Sequence, residues 1–171
     1  MKPPFVIWFT GLPCSGKSTL SKKLLNLFPK MEVLDGDTVL LNSLRPSDRK
    51  KESRILHAER VAYLAKLLLK HEIPVCAAVI SPYIESRNVA RKIIGNDNFI
   101  EIYIKCSLET CEKRDVKGMY KKARAGNLEN FTGVNAPYEI PEKPDLIVDT
   151  ENNSIDKCVE SILNYLKTKN Y

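Results

Sequence analysis

Eight residues near the start of the chain, Gly11-Leu12-Pro13-Cys14-Ser15-Gly16-Lys17-Ser18, fit the pattern G-x-x-x-x-G-K-[ST]. The pattern works only where a buried strand turns sharply into a helix, so it constrains architecture as well as chemistry. In such a loop successive backbone N–H groups point inward and form a nest for phosphate oxygens. Side chains would obstruct that approach, which is why glycines stand at Gly11 and Gly16. Lys17 brings a compact, mobile positive charge to the β- and γ-phosphates, and Ser18 offers a hydroxyl to Mg²⁺. The helix that begins here adds the partial positive charge of its N-terminus. Gly11, Cys14, Ser15, Gly16, Lys17, Ser18 and Thr19 are therefore the residues expected to hold a nucleoside triphosphate. Cys14 is the odd member: if its position needs φ > 0, a residue with a Cβ adopts it at a steric cost.

The flanks agree. Phe5-Val6-Ile7-Trp8-Phe9 is apolar throughout, as a parallel strand buried on both faces should be. Leu20, Leu24, Leu25, Leu27 and Phe28 then recur at near-helical spacing until Pro29 ends the helix. Further apolar runs at 32–34, 74–80, 99–104 and 146–148 read as strands, and helical periods fill the gaps, most clearly at 54–70 and 154–169. Strand alternating with helix predicts an α/β fold of three layers, a five-stranded parallel sheet with helices on both faces. Ligands bind outside the carboxyl ends of such strands. Four of the five runs end there in polar or glycine-containing turns: the P-loop, Asp35-Gly36-Asp37, Ser81-Pro82-Tyr83 and Asp149-Thr150.

The 171 residues suit one domain, 1–171. The net charge of +6 suits an anionic ligand, and its scatter among acids, as in Glu112-Lys113-Arg114-Asp115, argues against a nucleic-acid surface. The five cysteines form no C-x-x-C pair, and His57 and His71 complete no zinc pattern. With no signal peptide and no apolar run long enough to span a membrane, a reducing cytoplasm is expected. From about 115 to 141 the pattern changes. Lys117, Lys121, Lys122 and Arg124 crowd a stretch punctuated by Gly118, Gly126, Gly133, Pro137 and Pro141. Beside a triphosphate site this reads as a basic, mobile lid, with a plain surface loop as the alternative.

Several segments go beyond a generic P-loop. Leu34-Asp35-Gly36-Asp37, Ile80-Ser81-Pro82-Tyr83, Cys111-Glu112-Lys113-Arg114-Asp115, the run Lys117 to Gly126, Phe131-Thr132-Gly133 and Pro137-Tyr138-Glu139 occur in this order. Together they closely resemble the adenylylsulfate (APS) kinase family over about 5–150. The resemblance implies a P-loop kinase fold and transfer of the ATP γ-phosphoryl group, with Mg²⁺, to the ribose 3′-hydroxyl of a small nucleotide. It also implies a homodimer.

It assigns roles as well. Asp37 would contact the acceptor ribose and take the hydroxyl proton, and Asp35 would sit near the Mg²⁺ water shell. Asp before a helix is also a common cap. Ser81 resembles a serine proposed to be transiently phosphorylated in some members; binding the acceptor or forming the turn are the simpler roles. Arg114 resembles an arginine packed on the ATP adenine, against which stands a surface ion pair with Asp115 or Glu112. Lys117, Lys121 and Arg124 would neutralise phosphate charge on closure, and Lys121 joins Lys17 and Asp37 as a catalytic group. Phe131 resembles a lid aromatic that stacks on the acceptor base; anchoring the lid is its other reading.

Departures cluster on the acceptor side. Thr38-Val39-Leu40 stands where the family has Asn-Val-Arg. In the register counted back from Ser81-Pro82-Tyr83, His57 stands where the family has asparagine while Arg54 and Arg60 are retained, and a second register places the family's Asp-Arg on Asp48-Arg49. No second base-stacking aromatic is found between Leu41 and Lys51. Loss of a bidentate anion clamp alters discrimination between acceptors. Two acceptors are therefore expected to compete, adenylylsulfate and a cytidine nucleotide such as cytidine diphosphoramidate, with preference for the latter. A P-loop regulatory or nucleic-acid-binding module without kinase activity is the alternative class.

Overall fold

The computed structural model describes residues 4–36, 44 and 48–171. Asp37, Leu40 and the stretch searched for a second aromatic lie wholly or mostly outside them. Five parallel strands form one sheet: β1 (Val6–Thr10), β2 (Glu32–Asp35), β3 (Val75–Ala78), β4 (Phe99–Lys105) and β5 (Leu146–Asp149), in the order β2-β3-β1-β4-β5. The helices are α1 (Lys17–Leu27), α2 (Lys51–Lys70), α3 (Ile84–Ile94), α4 (Leu108–Arg114), α5 (Met119–Arg124) and α6 (Ile155–Thr168).

The unbroken apolar run of β1 follows from its central place. Ile7 and Phe9 face one core with α1 and α6, built around Leu20, Leu24, Ile162 and Leu166. Val6 and Trp8 face a second core, where α2 and α3 pack through Val61, Ala62, Ala65 and Ala90. Both faces are covered, so alternation in β1 would have left a polar side chain in apolar surroundings.

Strand order reverses at β1, with β3 on one side and β4 on the other. The P-loop leaves β1 at this switch point, where open α/β sheets bind ligands. The sequence extends β3 to Ile80, but the strand stops at Ala78. Ile80 turns its carbonyl to the Gly11 amide (3.4 Å) and the Thr10 hydroxyl (2.8 Å), and Ser81 adopts φ 45°. The helix expected from 54 begins at Lys51, whose ammonium pairs with Glu85 of α3 at 3.1 Å.

A third, smaller core is built from residues 106–131. Cys106, Cys111, Tyr120, Ala123 and Phe131 are buried together, with Leu12 and Cys14 of the P-loop against them. Cys76 and Cys106 are buried, as expected of small hydrophobes.

Candidate active site

Gly11 has no room for a side chain. A Cβ there would lie 2.6 Å from the backbone oxygen of Ile104 and 2.9 Å from Ser15 Oγ. Gly16 takes φ 108° at the start of α1, and Cys14 takes φ 62°, so the strained cysteine expected from sequence is present. Lys17 is buried under the loop, its Nζ donating to the carbonyls of Gly11 (2.8 Å) and Leu12 (2.7 Å) and to Ser15 Oγ (3.3 Å). Thr150, at the end of β5, donates its hydroxyl to Ser15 O at 2.6 Å. This braced nest of amides with an ammonium at its floor fits a triphosphate. Ser18 and Thr19 open α1 beside it, with Ser18 half-buried and Thr19 exposed. Among the described residues no cluster of three or more His, Cys, Asp or Glu could hold a metal ion. A P-loop cation needs none, since a hydroxyl and phosphate oxygens supply its ligands.

Arg114, the last residue of α4, reaches back over the loop. Its guanidinium donates to Thr150 O at 2.7 Å, with longer contacts to Thr150 Oγ1 (3.4 Å) and Cys14 O (3.5 Å). The acids offered as its partners are engaged elsewhere. Glu112 pairs with Arg124, and Asp115 accepts from the amides of Tyr120 and Lys121, both at 3.0 Å. Desolvation is the largest single effect and raises the Asp115 carboxyl, but the amides of Lys121, Tyr120 and Met119 together outweigh it and hold the group below its usual range. Arg124 thus shares its charge with Glu112, whereas Lys117 and Lys121 are exposed on the lid segment.

The lid segment is tied to the P-loop. Tyr120 is buried and donates to Pro13 O at 2.9 Å, and burial pushes its phenol far up, keeping the proton on that bond. Phe131 packs edge-on against Tyr120, centroids 4.9 Å apart, with only 5% of its surface exposed. In this arrangement Phe131 belongs to the lid's own core. Burial and a hydrogen bond with Cys106 push the Cys111 thiol up to about 12, which makes it inert packing.

On the other side of β1 lie the remaining predicted residues. Asp35 ends β2 opposite Ala78 of β3 and is buried. Ser81 is buried, its hydroxyl 3.1 Å from that of Ser86. Arg54 and His57 share a face of α2, and Arg54 donates to the carbonyl of Asn130 at 3.4 Å, next to Phe131. Asp35 thus lies at the end of β2 and Ser81 just beyond β3, Arg54 and His57 stand on α2 with Arg54 bonded to Asn130, and Arg114 and Thr150 lie on the β5 side of the P-loop.

Sequence reasoning missed Thr10 and Arg87 and gave Tyr138 no role. The Thr10 hydroxyl lies 2.9 Å from the Tyr138 phenol, and Arg87 donates to Ser81 O (2.8 Å) and Glu139 O (2.7 Å). Tyr138 and Glu139 belonged to a quoted motif, so their importance was legible but not their contacts. A cleft of about 860 Å³ opens between the end of β4 and residues 133–140, and Leu12 is the P-loop residue in its lining. The site is defined by the motif geometry and not by that cleft.

No helix among the described residues is long and apolar enough to cross a membrane. A family model described as Adenylylsulphate kinase matches residues 3–149. The chain is 47% identical over 175 residues to the adenylyl-sulfate kinase of Oceanobacillus iheyensis, covering 97% of this chain and 85% of that one. It is 48% identical over 166 residues to the adenylyl-sulfate kinase of Clostridium acetobutylicum, covering 95% and 82%. The solved structure of the Mycobacterium tuberculosis APS kinase in complex with AMPPNP and APS matches with a TM-score of 0.88 at 34% identity, over 98% of this chain and 99% of that one. With the P-loop and the sheet order already in place, these matches show that the chain belongs to the adenylylsulphate kinase family and is an ATP- and Mg²⁺-dependent kinase that phosphorylates an alcohol group.

Proposed function

We propose that the chain transfers the γ-phosphoryl group of ATP to the ribose 3′-hydroxyl of adenylylsulfate. The observation that supports this most is the extent of the likeness, nearly half identity along almost the whole chain to adenylyl-sulfate kinases. The expected preference for a cytidine acceptor finds no support among the relatives named above. Of the departures that motivated it, Leu40 lies outside the described residues, and His57 keeps its place one turn from Arg54 on α2.

In this reading the loop amides and Lys17 hold and polarise the phosphates, and Ser18 offers a ligand to Mg²⁺, which would neutralise charge on them. Arg114 lies flat against the nucleotide base. Asp35, Arg54, His57 and Ser81 receive the acceptor, and Asp37 takes the 3′-hydroxyl proton. Lys117 and Lys121 bring positive charge as residues 115–141 close. Phosphoryl transfer depends chiefly on such positioning and electrostatics. Phe131 serves by holding the lid together and not by offering an open ring face. A homodimer is part of the same reading, to be measured by light scattering.

The test is ADP release with adenylylsulfate, cytidine diphosphoramidate and simple nucleoside phosphates side by side, followed by identification of the 3′-phosphorylated product. Turnover restricted to adenylylsulfate supports the reading. ATP hydrolysis indifferent to every acceptor would return the chain to the class of P-loop regulatory modules.

A further inference from the structure

Behind the P-loop three segments far apart in sequence meet at a few hydrogen bonds. Thr10 is the last residue of β1, directly before Gly11, and is fully buried. Its hydroxyl lies 2.8 Å from Ile80 O, 3.2 Å from Ser81 O and 2.9 Å from Tyr138 Oη. A hydroxyl has one hydrogen to give. Thr10 donates to a carbonyl of the β3 turn, so Tyr138 must donate to Thr10. Burial pushes the Tyr138 phenol well above its ordinary range, so that proton stays in place. The chain of bonds is directional: residues 137–139, the exit strap at the C-terminal end of the lid, to β1, to the turn at Ser81.

Arg87 of α3 closes the circuit. It is 2% exposed, pairs through Nε with Glu101 of β4 at 2.9 Å, and gives its two remaining nitrogens to Ser81 O (2.8 Å) and Glu139 O (2.7 Å). Its guanidinium carbon lies 6.0 Å from the centre of the Tyr138 ring. The Glu139 carboxylate accepts from the Ile84 amide at 2.7 Å at the start of α3, and the Glu139 amide donates to Pro82 O at 2.8 Å. The strap is thus bonded directly to Pro82 and Ile84 of this turn and, through Arg87, to Ser81, which is held at φ 45°.

The two sides of the site differ in how they depend on these bonds. The P-loop has further braces in Lys17, Thr150 and Tyr120. Two of the side chains that hold the Ser81 turn, Thr10 and Arg87, belong to the circuit. A strained turn persists only while its surroundings over-determine it.

We propose that Tyr138, acting through Thr10 and alongside Arg87, is a positioning residue that couples the lid's exit strap to the acceptor-side turn at Ser81. Seating the acceptor and closing the lid then draw on one network, and the strap transmits each to the other. This rests on the kinase reading given above and adds to it where acceptor affinity is set.

Tyr138→Phe tests it with least disturbance, since the ring keeps its stacking on Tyr103, centroids 6.0 Å apart, and only the phenol is lost. The expected result is an acceptor KM raised about fivefold, the size of one net hydrogen bond, with the ATP KM unchanged. Thr10→Ser, which keeps the hydroxyl, should retain wild-type acceptor KM, and adding Tyr138→Phe to Thr10→Val should cost little more than Thr10→Val alone. Hydrogen exchange of residues 117–136 with Mg·ADP bound should quicken in Tyr138→Phe. That readout needs no turnover, so it separates this proposal from the choice of acceptor. Equal rises in both KM values, or lid exchange matching the wild type, would overturn it.

Discussion

Tyr120 donates its phenol hydrogen to the carbonyl of Pro13 at 2.9 Å, so α5 is bonded directly to the phosphate-binding loop. Tyr120 also forms the edge-on contact with Phe131. One residue therefore joins the lid's core to the nucleotide cradle. Tyr120→Phe would keep the ring packing and remove the bond. Nucleotide binding, measured by calorimetry with Mg·ADP, should weaken about threefold while thermal stability changes little.

Lys17→Ala should lower turnover by roughly a hundredfold or more, because its ammonium, held under the loop by the carbonyls of Gly11 and Leu12, is the charge proposed to meet the β- and γ-phosphates. Steady-state ADP release checks this. The protein should remain folded by circular dichroism, since the loop keeps its Thr150 brace at 2.6 Å.

Gly11→Ala should destabilise the fold. The added methyl would stand 2.6 Å from Ile104 O, a backbone atom that can move only with β4. Overpacking of this kind costs about 1–3 kcal/mol, read as a lower urea midpoint at constant slope.

Arg87→Met removes the partner that lies 2.9 Å from Glu101 in the same pocket. It should cost less than the roughly 3–5 kcal/mol of a buried charge left wholly unpaired, because Glu101 keeps its second partner, Arg91, at 3.3 Å. Chemical denaturation measures the loss, and an added Glu101→Gln should recover part of it.

The Asp115 carboxylate fastens the first turn of α5 by accepting the amides of Tyr120 and Lys121. Its folded-state pKa is lowered from 3.8. The stabilisation is therefore present above the unfolded value and lost as the pH falls through the lowered one. Carboxyl-carbon NMR should show Asp115 titrating below 3.8, with the Tyr120 and Lys121 amide shifts moving in step. Asp115→Asn should abolish that coupled step.

Much of this was legible in the sequence. The P-loop, the strands and the long helices announce themselves through spacing and apolar runs, because one face or both must be buried whatever the partner. Phe131 shows the limit: a lone aromatic in a loop has no periodicity to say whether its ring is covered, and here Tyr120 covers it. Arg114 shows another. Its neighbours in sequence offered two carboxylates, but helix geometry gives Glu112 to Arg124 and frees Arg114 to span to Thr150. Arg87 was missed because an arginine in a helix usually points to water. Only the tertiary approach of β4 and residues 137–139 reveals that it is enclosed.

The central claim concerns the reaction and its acceptor. The most direct test is kcat/KM for adenylylsulfate and for cytidine diphosphoramidate under identical ATP and Mg²⁺, with the phosphorylated position assigned by NMR. The account predicts 3′-phosphorylation of adenylylsulfate and a preference for it of roughly a hundredfold or more, the scale that lost polar contacts in a built site produce. Equal use of both acceptors, preference for the cytidine nucleotide, or phosphorylation at another hydroxyl would contradict it.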